Sequence, residues 1–364
     1  MQSAPAKSPA FSPVQIDIKS FLNEGAVVQT SMDSFQLFLG PFTPALSDLQ
    51  NEKLLYKPDF WDFLDPKNKK MNLLQADQVI KINRIEFYEL LLGETATQKM
   101  PEIKWQIPDK PSFQNQFLWV ADKIKKNELA KGLPITVQTG QGFSSDAKVQ
   151  VLKNILEKRS EQYLYGFWDS KSGFIGFTPE ILIQKNENQT GTMALAGTWN
   201  KLSNPKPNFQ DSKIRNEHQI VIDDVLNQLK NEKLISQTET EALELEYLVH
   251  LKTEFLFENS DTEKFIHQLH PTAALGLYPR SQKLFSEFQN FELQNQRKKF
   301  GAPFGFVSAR QSFLIVAIRN IFWSNDEISI YSGCGVTGAS DFEIEWQELE
   351  AKRNSVKKTF GLNL

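Results

Sequence analysis

Between Phe113 and Lys131 the apolar residues Phe117, Val120, Ile124 and Leu129 recur at helical spacing, and Gly132 stands where a glycine often closes a helix. The pattern predicts a helix ending near Lys131, followed by a strand over Leu133–Gln138 and a helix over Ala147–Tyr163. A hairpin is expected over Tyr165–Phe177, turning at Asp169-Ser170-Lys171-Ser172-Gly173, with a strand at Ile181–Gln184 after Thr178-Pro179-Glu180. From Thr192 to Lys230 a strand and a polar loop at Asn204–Gln210 lead into a second helix, whose apolar stripe is Ile214, Val221, Val225 and Leu229. His218 continues that stripe as a core histidine, and Glu217 is expected to face away from it. Phe304–Val307, Ser312–Arg319 and Glu327–Tyr331 read as strands, the middle one apolar on both faces and so central in its sheet. A last helix, Phe342–Lys358, packs through Phe342, Trp346, Leu349 and Val356. Residues 11–110, punctuated by Pro and Gly, predict short strands and loops with one helix and nothing catalytic. Strands joined by hairpins and alternating irregularly with helices predict a mixed α+β fold, not a doubly wound one. One domain is expected over 13–364, behind a loose Pro- and Ser-rich tail at 1–12.

Of 364 residues, 40% are hydrophobic and 23% charged, which supplies a packed core and argues against a disordered chain. The 28 phenylalanines make that core largely aromatic. Forty-one basic against 44 acidic residues leave a charge of −3, without the basic excess that nucleic-acid binding demands. No run approaches ~18 consecutive apolar residues, so no membrane span is expected. A single cysteine, Cys334, allows no intrachain disulfide, and four histidines leave no zinc-spaced cluster, so a reducing, cytoplasmic setting is expected.

Gly333-Cys334-Gly335-Val336-Thr337-Gly338 matches the dinucleotide pattern G-x-G-x-x-G after a strand and before a helix. A nicotinamide-linked oxidoreductase would need a further parallel strand carrying an acid about 20 residues on, and the sequence has no place for one. The glycines therefore read either as an anion site before a helix N-terminus or as a tight turn. On the last helix Glu345 and Glu348 share a face beside the buried stripe. They read as carboxylates for Mg²⁺ or as a solvated acidic face with a Glu348–Lys352 pair. Arg319, at the end of an apolar strand, needs an anion, and a carboxylate suits its geometry. Lys131 and Glu180 taken singly have ordinary readings, as a helix-end cation and a turn glutamate.

Taken in order, these segments resemble the chorismate-utilising enzymes, most closely their isochorismate synthase members. The resemblance rests on Phe177-Thr178-Pro179-Glu180, Ala194-Leu195-Ala196-Gly197-Thr198, Asn216-Glu217-His218 and His270-Pro271-Thr272-Ala273-Ala274-Leu275-Gly276. Phe304-Gly305, Ala317-Ile318-Arg319, the Gly333–Gly338 loop and Glu345-Trp346-Gln347-Glu348 complete it. It implies one α+β domain in which two antiparallel sheets enclose the site. It also implies Mg²⁺ held by Glu217 and Glu348 and supported through water by Glu345. Arg319 and the backbone near Gly333 and Gly335 would bind a substrate carboxylate, and Gly197 would let backbone approach the substrate. Thr198, His270, Ala274 and Leu275 would complete the substrate site. Glu180 would be the general acid that protonates the departing C4 hydroxyl, and Lys131 the base that activates water for attack at C2. Gly132-Leu133-Pro134 departs from the β-forming residues that usually follow this lysine. Cys334 stands where a smaller residue is usual. The resemblance implies chorismate as substrate, a monomer needing no glutamine amidotransferase subunit, and service to menaquinone or siderophore biosynthesis. Salicylate synthase, the anthranilate-forming relatives, which typically lack the lysine, and a chorismate binder without turnover are the other readings.

Overall fold

The computed structural model describes residues 16–45, 52–65, 73–94, 99–201 and 209–364. The tail at 1–12 and most of the polar loop at Asn204–Gln210 lie outside the described residues. All strand pairings among the described residues are antiparallel. Followed from neighbour to neighbour, one half of the sheet runs Ile135–Gln141, Glu327–Gly333, Asn320–Ser324, Ser172–Thr178, Tyr163–Trp168, Gly25–Ser31, Ser34–Pro44, Leu73–Asn83. The other continues through Leu54–Tyr56, Pro303–Val307, Ser312–Val316, Ile181–Lys185, Gln189–Asn200 and Leu248–Glu258. The two expected sheets are thus halves of one hydrogen-bonded network.

The halves pack face to face. Val28, Phe38, Tyr165 and Phe174 of the first share an apolar layer with Leu55, Leu195, Phe304, Phe306 and Ile315 of the second. Each such buried side chain contributes roughly 1.5–3 kcal/mol. Helices Ser212–Gln228 and Thr262–Leu269 cover the second half, and Lys110–Lys125, which lies against Ile135–Gln141, and Gln282–Gln289 join the same apolar cluster. Ile18–Asn23, Arg84–Leu92, Ala147–Leu156 and the end of Phe342–Phe360 cover the first. The order helix, sheet, sheet, helix is an α+β architecture, and among the described residues no helix is long and apolar enough to cross a membrane.

Local chemistry fixes the helix starts. Asp109, Asp211 and Asp341 each cap a helix by accepting hydrogen bonds from first-turn N–H groups. Asn83 forms a capping box with Glu86, so the apolar run Ile80–Leu92 is a strand end followed by a helix.

Three expectations change. The first helix ends at Lys125, not near Lys131, because Asn127 takes a left-handed φ of 59°. Gly132 is a strand residue, pressed so close to Val120 that a Cβ would collide with it and crowd Leu277. The helix expected to Tyr163 ends at Leu156, and the chain is extended again from Tyr163. The strand expected over Ser312–Arg319 stops at Val316. Arg319 adopts a φ of 56°, and Asn320–Ser324 resumes as a strand in the other half of the sheet. Residues 317–319 are therefore the crossing between the halves, and the arginine stands at that crossing.

Candidate active site

A cleft of about 650 Å³ opens where the crossing meets the helices. Lys131, Glu180, Thr198, Glu217, Ala274, Leu275, Arg319, Gly333 and Gly335 all line it, so the structure brings most of the sequence candidates together. They come from segments as distant as 131 and 335 because opposite halves of the sheet close over the same space.

Lys131 is 1% exposed and lies in a two-residue strand paired with Leu277–Tyr278. Backbone bonds between Gly132 and Val336, at 2.8 and 3.1 Å, tie that strand to the glycine loop. The Lys131 register is thus fixed from both sides despite Gly132-Leu133-Pro134. Its Nζ donates to the Ala273 carbonyl at 2.8 Å and stands 3.5 Å from Glu217 Oε1. The Ala273 amide donates in turn to the buried Asp224 carboxylate at 2.7 Å, which fixes the loop carrying that carbonyl. Gly335 faces this pair. A Cβ there would run into both Glu217 Oε1 and the Lys131 side chain.

Glu180 is buried directly after the strand that ends at Thr178. Burial pushes its carboxyl up to about 8, against the opposing pull of Lys131, Arg319 and Lys352. The Arg319 guanidinium is also buried, and burial brings it down to about 10 in spite of Glu348 and Glu180. Its Nη1 donates to Ser355 at 3.3 Å.

Glu217, expected to face away from its helix's apolar stripe, instead flanks it and points into the cleft, because the cleft is open on that side of the helix. His218 is the core histidine expected, with Nε2 2.8 Å from Thr253 Oγ1. Burial lowers it to about 4. Glu345 is buried and held by Lys213 at 2.7 Å, and Glu348 pairs with Lys352 at 2.6 Å. The Glu348–Lys352 helix pair is therefore real, but its side chains are largely covered and not a solvated face. Burial raises the Glu217 and Glu345 carboxyls, and Glu348 raises both further by repulsion. Among the described residues no three His, Cys, Asp or Glu side chains form a ready-made metal cage. Glu217 lines the cleft and Glu345 and Glu348 do not, but Glu348 on the last helix is near enough to act on Glu217. Each of the three carboxylates meets a lysine, a donor chemistry that fits a hard divalent cation.

Three candidates take other roles. Gly197 does not line the cleft. Its φ of 70° lets the strand bend beneath Ile214, whose carbonyl would lie 2.7 Å from a Cβ, so its freedom serves packing and not approach of substrate. His270 is buried against Phe60 and Phe63, with Nε2 2.9 Å from the Phe60 carbonyl, and it too is outside the cleft. The glycine loop does not present a helix N-terminus to an anion. The helix begins at Phe342, and Asp341 already accepts from its first amides. Cys334 is fully buried in the core.

Sequence reasoning missed His250. It lines the cleft from strand Leu248–Glu258, with Nδ1 2.9 Å from Thr198 Oγ1 and Nε2 3.1 Å from Arg319 Nη2. Between Val249 and Leu251 it reads as one polar residue in a strand, and no local signal separates it from His218. Lys352 was visible only as a partner of Glu348. It also donates to the Gly333 carbonyl at 2.8 Å and lines the cleft.

The chain resembles known proteins in the same sense. It is 27% identical over 258 residues to isochorismate synthase MenF of Escherichia coli K12, a match covering 67% of this chain and 59% of that protein. It is 31% identical over 209 residues to the chloroplastic isochorismate synthase of Catharanthus roseus, covering 52% of this chain and 34% of that one. The chain thus spans about a third to three fifths of the length of these relatives. The solved structure of E. coli MenF superposes with a TM-score of 0.72 at 19% identity, covering 95% of this chain and 92% of the other, which shows a shared fold. A family described as chorismate binding enzyme matches residues 65–361. With that match across most of its length, the fold of its structural neighbours and the acids and lysine gathered in one cleft, this chain belongs to the chorismate-binding enzyme family.

Proposed function

We propose that the protein is an isochorismate synthase, converting chorismate to isochorismate by adding water at C2 with loss of the C4 hydroxyl. One observation carries the reading: a buried lysine and a buried glutamic acid, Lys131 and Glu180, line one cleft beside a buried arginine. Glu180 holds its proton at neutral pH and gives it to the departing C4 oxygen. Lys131, steered by the Ala273 carbonyl, takes a proton from the water that attacks C2. One water enters and one leaves, so the reaction is an isomerisation that needs no oxidant. Arg319 and the Gly333 backbone would bind one substrate carboxylate, with the Thr198 hydroxyl beside them. Glu217 and Glu348 would hold Mg²⁺, with Glu345 supporting it through water. When bound, the ion supplies positive charge to the ring carboxylate. The enzyme would act on chorismate in the cytoplasm as a monomer without an amidotransferase, and its product would feed menaquinone or siderophore biosynthesis.

The test is incubation with chorismate and Mg²⁺, with products separated by chromatography. Isochorismate as sole product supports the reading. Salicylate, or an aminated product formed from ammonia, would move the protein to a relative's reaction, and unchanged chorismate would leave a binding protein without turnover.

A further inference from the structure

Each carboxylate proposed to serve the cation is met by its own lysine, but the three lysines are not alike. Lys131 and Lys352 each have a second anchor, donating at 2.8 Å to the carbonyls of Ala273 and Gly333. The Lys213 ammonium has one hydrogen-bond partner among the described residues, Glu345 Oε1 at 2.7 Å. Its side chain is 29% exposed, whereas that of Glu345 is 2% exposed. Lys213 also sits in the first turn of its helix, where the helix dipole disfavours a cation. Glu345 on the opposite helix is what offsets that cost.

Resting on the cation reading above, we propose that Lys213 is a built-in stand-in for the divalent ion. Its ammonium neutralises the buried Glu345 while the cleft is metal-free and gives that carboxylate up when the cation enters. A buried anion left alone would be strongly destabilising, so the fold needs a charge there before metal arrives. The lysine supplies it from the solvent-facing side, from which it can withdraw. The consequence is competition: the same positive charge that keeps the empty site folded weakens cation binding.

Mn²⁺ serves as probe, its free concentration followed by paramagnetic resonance, with no substrate present. Lys213→Met should bind Mn²⁺ about tenfold more tightly than wild type, the scale of one removed charge contact of ~1.4 kcal/mol. It should also melt at a lower temperature in metal-free buffer and recover under saturating Mn²⁺. Lys213→Arg, which keeps the charge, should bind as wild type does and guards against an effect of side-chain shape. Equal or weaker Mn²⁺ binding by Lys213→Met, or a loss of melting temperature that Mn²⁺ does not recover, overturns the proposal. Glu348→Gln separates the two readings. If it weakens Mn²⁺ binding while Lys213→Met changes nothing, only the role of Lys213 fails. If wild type and Glu348→Gln bind Mn²⁺ equally, or neither binds, the cation reading fails and takes this proposal with it.

Discussion

Arg319 Nη2 stands 3.1 Å from His250 Nε2, and that contact sets the tautomer of the imidazole. A guanidinium can only donate, so Nε2 accepts and the ring proton sits on Nδ1, which donates to Thr198 Oγ1 at 2.9 Å. Burial, with Arg319 and Lys352 nearby, holds His250 well below its usual range, so the ring stays neutral. The Thr198 hydroxyl, having accepted, keeps its own proton for a ligand in the cleft. His250→Phe keeps the bulk and removes both nitrogens. It should lower stability by about 1–3 kcal/mol in a urea melt and raise KM for chorismate more than it lowers kcat. An unchanged KM would separate His250 from substrate binding.

Glu180→Gln keeps the shape but has no proton to give, so kcat should fall by roughly 10²–10⁴ in steady-state assays. The pH dependence of stability tests the same carboxyl. Its folded value of about 8 lies above the 4.5 of the unfolded chain, so between those values the folded state keeps a proton that the unfolded chain has lost, and stability falls as pH rises through that window towards 8. His218 and His270, held by burial at about 4 and 3, act oppositely and cost stability as pH falls below the unfolded histidine value. Each group contributes a slope of about 1.4 kcal/mol per pH unit within its window. The windows overlap below about 6.5, where the histidines oppose the carboxyl; above it the carboxyl acts without them, so unfolding free energy should fall as pH rises from there towards 8, and Glu180→Gln should make that fall shallower. A variant with the wild-type alkaline slope would contradict the assignment.

Lys131→Gln should leave chorismate binding largely intact, as read by calorimetry, and stop isochorismate formation. Retained isochorismate production by this variant would exclude Lys131 as the base.

Gly335→Ala places a methyl group against Glu217 and Lys131 together. The pair must separate, and misplacement on the order of 1 Å can cost about 10²-fold in rate. We expect activity to drop by that order in an assay with chorismate. Wild-type turnover in Gly335→Ala would show that the closeness of Lys131 and Glu217 is dispensable.

Chelation of divalent metal should abolish turnover, and Mg²⁺ should restore it. Full activity in metal-free buffer is the outcome that removes the cation from the mechanism.

Much of the fold was legible because its signals are local. Helical stripes such as Ile214, Val221 and Val225, the hairpin turning at Asp169, and the strand over Pro303–Val307 each depend on residues a few positions apart. The order of short motifs gathered Glu180, Glu217, Arg319 and the glycine loop for the same reason: each motif is carried within a handful of residues.

What the sequence determined by itself was therefore the identity and order of the elements and the chemistry each could carry. The tertiary structure decided which side chains meet. The crossing at Arg319 depends on which half of the sheet each flanking strand joins, and the pairs Arg319–His250, Lys131–Glu217 and Lys213–Glu345 join segments 69 to 132 residues apart. The same applies to Gly197 and His270, which share motifs with residues of the cleft yet serve the packing of Ile214 and Phe60. Periodicity reports only whether a side chain is buried. Whether it is buried in a cleft or in the core depends on how the two sheet halves close, because desolvation and contact arise from neighbours that the local sequence does not contain.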